Sequence, residues 1–221
     1  MGLMKWLGNK LDKVRTFLGG KKHTATMSNN DKLMAYFANE SYQDEHKRNK
    51  NKGGYEYDNT LSGKYESVYH NPKSNKTVIS YRGTKFDIND LESDIAIISG
   101  KEDKNKRFQN ALNHFDKVQN KYKGNISTTG HSLGASISEH VNKNRDVHKA
   151  YSFNAGSSIT AVKDMLKCKL PKSIRPKWCD KLRCHKIGGD VISMAGCGYG
   201  KATTYKKKSG SLSSHSIQNF L

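Results

Sequence analysis

Residues 130–134 read Gly-His-Ser-Leu-Gly, a G-x-S-x-G pattern centred on Ser132. A β-branched run at 126–129 precedes the pattern, and a helical pattern at 133–142 follows it directly. A serine at the apex of such a strand–turn–helix is held above the sheet, near a helix N-terminus that favours developing negative charge. The setting predicts that Ser132 is a nucleophile for acyl transfer, with the Leu133 N–H as one donor to the oxyanion. An ordinary serine in a glycine-bounded turn is the alternative.

A serine nucleophile needs a histidine base, and that base needs a carboxylate to orient it. The histidines that follow Ser132 are His140, His148, His185 and His215, and the acids are Glu139, Asp146, Asp164, Asp180 and Asp190. His215 follows a polar Ser/Gly turn, from which it can reach over a sheet edge. Asp190 follows a short β-like run through a Gly-Gly turn, and α/β sites assemble where strands end. We predict a triad of Ser132, Asp190 and His215, against an Asx-turn role for Asp190 and a structural role for His215.

These side chains must be positioned by regular elements. Residue patterns predict strands at 65–69, 77–81, 126–129, 147–153 and 183–187, and helices at 30–41, 104–121, 133–142, 158–167 and 213–221. The charged segment 44–54 ends in two glycines and is predicted to be a loop. Strands that alternate with helices predict an α/β fold with a mainly parallel central sheet flanked by helices.

The charge of the chain predicts an anionic partner. Its 221 residues carry 39 Lys and Arg against 20 Asp and Glu, a formal charge of +19. Nucleic acid and an anionic membrane surface are the two candidates. No zinc-finger spacing, RNP1-like run or basic region with heptads accompanies the charge, so no nucleic acid is expected. Lysines that merely solvate the surface are the other explanation.

The N-terminal residues and the cysteines bear on location. Residues 1–24 are basic with leucines at helical spacing, which fits an interfacial helix or a surface helix, and 25–221 form the predicted domain. We recognise no signal peptide and no apolar run long enough to cross a membrane, which favours a cytoplasmic or peripheral membrane location.

The four cysteines, Cys168, Cys179, Cys184 and Cys197, have no zinc-site spacing. We expect reduced thiols, with two disulfides as the alternative.

Several motifs in order resemble those of the class 3 lipases, the fungal lipase-like members of the α/β-hydrolase fold. Besides the serine elbow, 78–84 (Val-Ile-Ser-Tyr-Arg-Gly-Thr) resembles the family's strand ending in Arg-Gly-Thr/Ser. Asn89 and Asp94 resemble residues just downstream of it. Gly189-Asp190-Val191-Ile192 resembles the acid segment, and Ser214-His215-Ser216 with Asn219-Phe220 resembles the histidine segment.

The resemblance implies an α/β-hydrolase that cleaves carboxylic esters of lipids, as an acylglycerol lipase or a phospholipase A1, without metal or cofactor. It gives Thr84 the second oxyanion N–H, and it places a lid or a core helix at about 85–98. The segment 152–156 lacks the family's Gly-x-Pro, which leaves the substrate open. Asn154 there is a strand-end turn residue or a partner of the site. The alternative function is a catalytically idle protein of this fold that binds anionic membrane or nucleic acid through its basic surface.

Overall fold

The architecture rests on one mixed sheet whose strands lie side by side in chain order. In the computed structural model, residues 26–84, 101–156, 159–190, 193, 201–211 and 213–221 are described. Within these ranges the sheet has eight strands. They are β1 (Asn51–Lys52), β2 (Tyr55–Tyr57), β3 (Glu66–Asn71), β4 (Lys76–Tyr81), β5 (Asn125–His131), β6 (Lys149–Phe153), β7 (Leu182–Ile187) and β8 (Lys201–Tyr205). Strands β1 to β4 pair antiparallel, and β4 to β8 pair parallel.

The first helix precedes the sheet, and the other helices lie in connections between parallel strands. The helices are α1 (Asn29–Glu40), α2 (Lys106–Lys121), α3 (Leu133–Asn144), α4 (Ile159–Cys168) and α5 (Trp178–Lys181), with 3-10 turns at Glu45–Lys47, Glu102–Lys104 and Ile217–Phe220. The helix starts are set by side-chain caps: Ser28 accepts from the Asp31 N–H, and Asn105 accepts from the Arg107 N–H. Parallel strands require such crossovers, because the chain must return to the same sheet edge before each new strand.

Each face of the sheet has its own apolar core. On one face, α2 contributes Phe108, Leu112, Phe115 and Val118, whose spacing of three and four residues places them on one side of the helix. On the other face, Phe37 of α1 packs with Tyr69, Phe153 and Phe220. Two layers of helix therefore enclose the sheet, and the predicted α/β class is confirmed.

The structure differs from the sequence prediction mainly in short elements. Strands β1, β2 and β8 were not predicted, and β1 lies inside the segment expected to be a loop. The expected helix at 213–221 is a 3-10 turn of four residues, Ile217–Phe220. The proposed N-terminal segment 1–24, the possible lid at 85–98 and the motif residues Asn89 and Asp94 lie outside the described residues.

The expectation of reduced thiols was wrong. Cys168 at the end of α4 and Cys179 in α5 form a disulfide, and none of the three described cysteines, Cys168, Cys179 and Cys184, is a free thiol. Spacing alone hid the pair, because the ten residues between the two cysteines turn back through a loop that the sequence does not reveal. Disulfides persist in oxidising compartments, so the cysteines no longer support the expectation of a cytoplasmic location.

Within the described part of the chain, no helix combines the length and the apolar character needed to cross a lipid bilayer.

Candidate active site

Ser132 occupies a strained turn between β5 and α3. Its backbone angles are φ 59° and ψ −126°, a region that non-glycine residues rarely adopt. The turn is held on one side by a hydrogen bond from the Ser132 N–H to the Phe153 carbonyl, and on the other by Ala135 and Ser136 N–H groups that donate to the Ser132 carbonyl. Strain of this kind persists only where the surroundings fix it, which is common at active sites.

Two glycines allow the strand and the helix to meet at this turn. A Cβ at Gly130 would lie 2.2 Å from the Gly134 carbonyl oxygen, and a Cβ at Gly134 would lie 2.0 Å from the Tyr81 carbonyl oxygen. Both distances are shorter than any real Cβ contact. The x-positions of the G-x-S-x-G pattern therefore accept side chains while its glycines do not, as the sequence argument required.

Asp190 and His215 meet over the carboxyl edge of the sheet. Asp190 follows the end of β7 through Gly189, whose φ of +80° suits glycine. The His215 Nδ1 lies 2.9 Å from Asp190 Oδ2, and both side chains are buried. A carboxylate at Nδ1 fixes the imidazole with its Nε2 free to act as a base. The structure thus brings together the predicted acid and base, 25 residues apart in the chain.

The main-chain carbonyl of His215 is held from two sides. His131 Nε2 lies 2.6 Å from this oxygen, and Asn154 Nδ2 donates to it at 3.2 Å and to the Ser214 carbonyl at 3.1 Å. Asn154 also accepts from the Ile187 N–H at the end of β7. Asn154 is therefore more than a strand-end turn residue, because it ties the histidine loop to the strand that leads to Asp190.

His131 is a neutral, fixed donor in this arrangement. A carbonyl can only accept, so Nε2 carries the hydrogen and Nδ1 is left to accept from the Tyr42 hydroxyl at 3.0 Å. Burial, followed by the nearby His215, lowers the pKa of His131 to about 3. Gly83 makes room for this pair, since a Cβ there would lie 2.1 Å from the Tyr42 hydroxyl oxygen.

The proposed oxyanion donors lie on neighbouring segments of the same edge. Tyr81 of β4 pairs with Gly130 of β5, so Thr84 and Ser132 each lie a few residues beyond that pair. Leu133 begins α3, where the first-turn N–H groups have no carbonyl partner within the helix. The Thr84 hydroxyl is buried and has no hydrogen-bond partner among the described residues. The Arg107 guanidinium donates to the Arg82 carbonyl and braces the segment that carries Thr84.

Ser132 Oγ and His215 Nε2 are both buried, and neither has a hydrogen-bond partner among the described residues. The ring of His131, the residue before Ser132, has its centroid 4.9 Å from that of His215. The structure therefore does not show a hydrogen bond between the predicted nucleophile and the predicted base. Catalytic hydrogen bonds often tighten only when substrate is bound.

The remaining histidines lie apart from this cluster. His185 stacks between Phe153 and Tyr205 inside the core, and burial lowers its pKa to about 4. His140 packs edge-on to Phe108, and burial lowers its pKa as well. Among the described residues, no group of three or more His, Cys, Asp or Glu side chains is arranged to hold a metal ion.

Sequence reasoning missed His131, Tyr42 and the full role of Asn219. The available signal for His131 was a bulky polar residue between Gly130 and Ser132, in a turn where space is short. Asn219 donates to the carbonyls of Ser213, Ser214 and Ser216 and closes the loop that carries His215. Tyr42 gave no signal, because it lies 89 residues before its partner.

No protein-family model matches the chain, and no curated protein matches it in sequence. Solved structures do match. A nonglycosylated Lip2 lipase of Yarrowia lipolytica is 17% identical with a TM-score of 0.50, over 83% of this chain and 82% of that one. Another structure of that lipase is 16% identical with a TM-score of 0.49, over 83% of this chain and 82% of that one. A mutant form of MDLA from Penicillium cyclopium is 12% identical with a TM-score of 0.47, over 88% of this chain and 86% of that one.

The first of these matches establishes a shared fold. The mainly parallel sheet, the elbow between β5 and α3 and this structural likeness together give the chain the α/β-hydrolase fold. The resemblance to the class 3 lipases that the motifs indicated therefore extends to the architecture of the chain.

Proposed function

We propose that the chain is a serine carboxylic-ester hydrolase that acts on lipid esters. The observation that carries the proposal is the 2.9 Å pair of Asp190 and His215, held at the sheet edge that also presents the strained Ser132. The fold shared with the Yarrowia lipolytica Lip2 lipase, together with the ordered motifs, supports lipid esters as the substrate class.

The mechanism follows from the positions of these groups. Ser132 Oγ attacks the ester carbonyl carbon while His215 Nε2 takes the hydroxyl proton. Asp190 holds the imidazole by its Nδ1 and stabilises the imidazolium that forms. The Leu133 and Thr84 N–H groups donate to the tetrahedral oxyanion. His215 then gives its proton to the leaving alcohol. A water molecule, deprotonated by His215, then attacks the acyl-enzyme carbonyl carbon, and His215 returns that proton to Ser132 Oγ as the acid leaves.

His131 and Asn154 are positioning residues in this proposal. Neither touches the reacting atoms, but both bind the His215 carbonyl and so fix the backbone from which the imidazole projects. The low pKa of His131 keeps it neutral across the working pH range. It therefore adds no positive charge beside His215, where a second cation would oppose protonation of the base.

The direct test compares wild type with Ser132→Ala on a panel of short-chain nitrophenyl esters, acylglycerols and phospholipids. We expect wild type to hydrolyse at least one class and Ser132→Ala to lose that activity. Release of the sn-1 fatty acid from phospholipid vesicles, without release from acylglycerol emulsions, would assign the phospholipase A1 type. Equal inactivity of both proteins on the whole panel would refute the proposal and favour the catalytically idle alternative.

A further inference from the structure

One exposed segment combines lysines with aliphatic side chains and runs from the middle of α4 to the sheet edge opposite Ser132. We define the basic ridge as residues 163–177, which run from α4 through the following loop to the start of α5. Of the large hydrophobic side chains exposed among the described residues, three lie here: Leu166 at 61%, Leu170 at 41% and Ile174 at 65% exposure. Exposed aliphatic side chains concentrated in so short a segment indicate a surface that contacts an apolar medium or partner.

The lysines of the basic ridge face solvent around these side chains. Lys163, Lys172 and Lys177 are exposed and make no ion pair with any described residue. The acids in and beside the ridge are already neutralised: Asp164 pairs with Lys143 and Lys167, and Asp180 pairs with Arg175. The ridge therefore presents unbalanced positive charge.

The topology places the basic ridge away from the candidate active site. Because β6 and β7 are parallel, α4 leaves the carboxyl edge of the sheet and the loop after it returns to the amino edge, where β7 begins at Leu182. Ser132 and Asp190 lie at the carboxyl edge. A strand of six residues separates the two edges by about 20 Å.

The amino edge carries further positive charge. Lys76 begins β4 and Lys149 begins β6, whereas Lys181, which immediately precedes β7, is paired with Asp146. After burial, these three lysines are the causes that lower the pKa of His148 at the same edge. Lys76 and Lys149 therefore add positive charge at the amino edge of the sheet.

The loop of the basic ridge is fixed in shape. The Cys168–Cys179 disulfide closes it, and Arg175 donates to the Cys168 carbonyl and to Asp180. A loop that is ordered before binding loses less conformational entropy when it binds.

We propose that the basic ridge docks the protein on an anionic phospholipid bilayer. Lysine ammonium groups meet the lipid phosphates, and Leu166, Leu170 and Ile174 enter the boundary between headgroups and acyl chains. Lipid is favoured over nucleic acid because the exposed apolar groups are aliphatic, whereas single-stranded nucleic acid is bound by stacking on aromatic rings. Docking through this edge leaves the carboxyl edge, with Ser132, uncovered. The inference does not depend on the proposed esterase activity.

The test is flotation of the full chain with phosphatidylcholine vesicles, with and without phosphatidylserine. We expect binding only to the anionic vesicles, with a steep loss as salt rises. The ridge variant is Lys163→Glu/Lys172→Glu/Lys177→Glu. Its matched control, Lys104→Glu/Lys106→Glu/Lys207→Glu, makes the same charge change at exposed lysines beyond the carboxyl edge. Loss of three lysines at about fivefold each weakens binding about 100-fold, and the added negative charges weaken it further, so the ridge variant should bind at least about 100-fold more weakly and the control within about threefold of wild type.

A second variant, Leu166→Ser/Ile174→Ser, tests the apolar contribution and should weaken binding about tenfold. Equal losses in the ridge variant and its control would overturn the proposal, as would full binding by the serine variant. Binding to a DNA duplex without binding to anionic vesicles would also overturn it. Hydrolysis of a short-chain ester, measured on the same proteins, should be unchanged in the ridge variant. An inactive wild type that still floats would refute the proposed esterase alone.

Discussion

His131 Nε2 lies 2.6 Å from the main-chain carbonyl oxygen of His215, so the residue before the candidate nucleophile holds the backbone of the candidate base. The contact links two turns that are 84 residues apart in the chain. The turn that carries Ser132 is thus linked to the turn that carries His215 by the His131 side chain, without a contact of the Ser132 or His215 side chain. Because Asn154 donates to the same oxygen, the position of His215 is fixed twice.

Replacing His131 or Asn154 should impair turnover more than binding. We expect His131→Phe and Asn154→Ala each to lower kcat about tenfold with KM nearly unchanged, because the base is displaced while the ester site is intact. The double variant should lose more than the product of the single losses, since each residue alone still holds the carbonyl. Steady-state kinetics on a short-chain ester measures both parameters.

The conservative variant His131→Gln provides the control for that experiment, because an amide retains a donor at the same place. It should recover part of the kcat that His131→Phe loses. Equal losses for Gln and Phe, or a change confined to KM, would contradict the positioning role.

Replacing Asp190 should lower kcat, because Asp190 orients and stabilises the His215 ring, and should not prevent folding. Asp190→Asn keeps the shape of the side chain but removes the charge that stabilises the imidazolium, and we expect kcat to fall by about 10³-fold or more. Thermal unfolding of the variant should remain cooperative. A loss smaller than about tenfold would assign Asp190 to the turn alone.

The strain at Ser132 predicts a stability difference between two inactive variants. Ser132→Ala keeps the Cβ that disfavours φ 59° and ψ −126°, whereas Ser132→Gly relieves it. We expect the glycine variant to be more stable by about 1 kcal/mol, after the extra entropy of glycine in the unfolded chain is deducted. Urea unfolding at neutral pH measures the difference. An alanine variant that is equally or more stable would show that the turn is not strained.

Gly134 should tolerate no side chain. A Cβ there would lie 2.0 Å from the Tyr81 carbonyl oxygen, so Gly134→Ala must separate α3 from β4 and should cost about 3 kcal/mol or more of unfolding free energy. Gly188→Ala is the control, because its nearest neighbour would be 3.7 Å away. Similar effects of the two substitutions would argue against the close approach at the elbow.

Buried His185 should make stability depend on pH. Its pKa is lowered to about 4 by burial, against 6.5 when unfolded, so the unfolded chain binds the extra proton between these values. The free energy of unfolding is therefore unaffected by the titration of His185 above pH 6.5, and it decreases as the pH falls from 6.5 towards 4. His185→Phe preserves the ring stack with Phe153 and removes the titration. It should reduce the change in unfolding free energy across this range by roughly 2–3 kcal/mol. An unchanged pH dependence would contradict the buried neutral histidine.

The main elements and the candidate triad were accessible from local patterns. Phe108, Leu112, Phe115 and Val118 recur at helical spacing, and the predicted helix became α2. Ser132 could be predicted as a candidate nucleophile because the glycines two residues to either side of it leave no room for a Cβ, as the structure shows. Asp190 was found because it follows a short strand, and the ends of parallel strands meet at one edge.

What the sequence did not reveal depends on contacts between distant segments. The two-residue strand β1 gains its stability from pairing with β2 and carries too few residues for a pattern. Tyr42 acquires its role only when Gly83 and the elbow are folded beside it. The disulfide between Cys168 and Cys179 depends on a loop path that spacing does not specify.

Covalent labelling of Ser132 by a fluorophosphonate tests the central claim most directly, because phosphonylation requires a serine whose proton is removed by a base. The modified peptide is identified by mass spectrometry for wild type, Ser132→Ala and His215→Ala. We predict labelling of wild type at Ser132, none of Ser132→Ala, and at least about 100-fold slower labelling of folded His215→Ala. Wild type that resists the probe, or that reacts equally fast without His215, would contradict a Ser132–His215–Asp190 catalytic site.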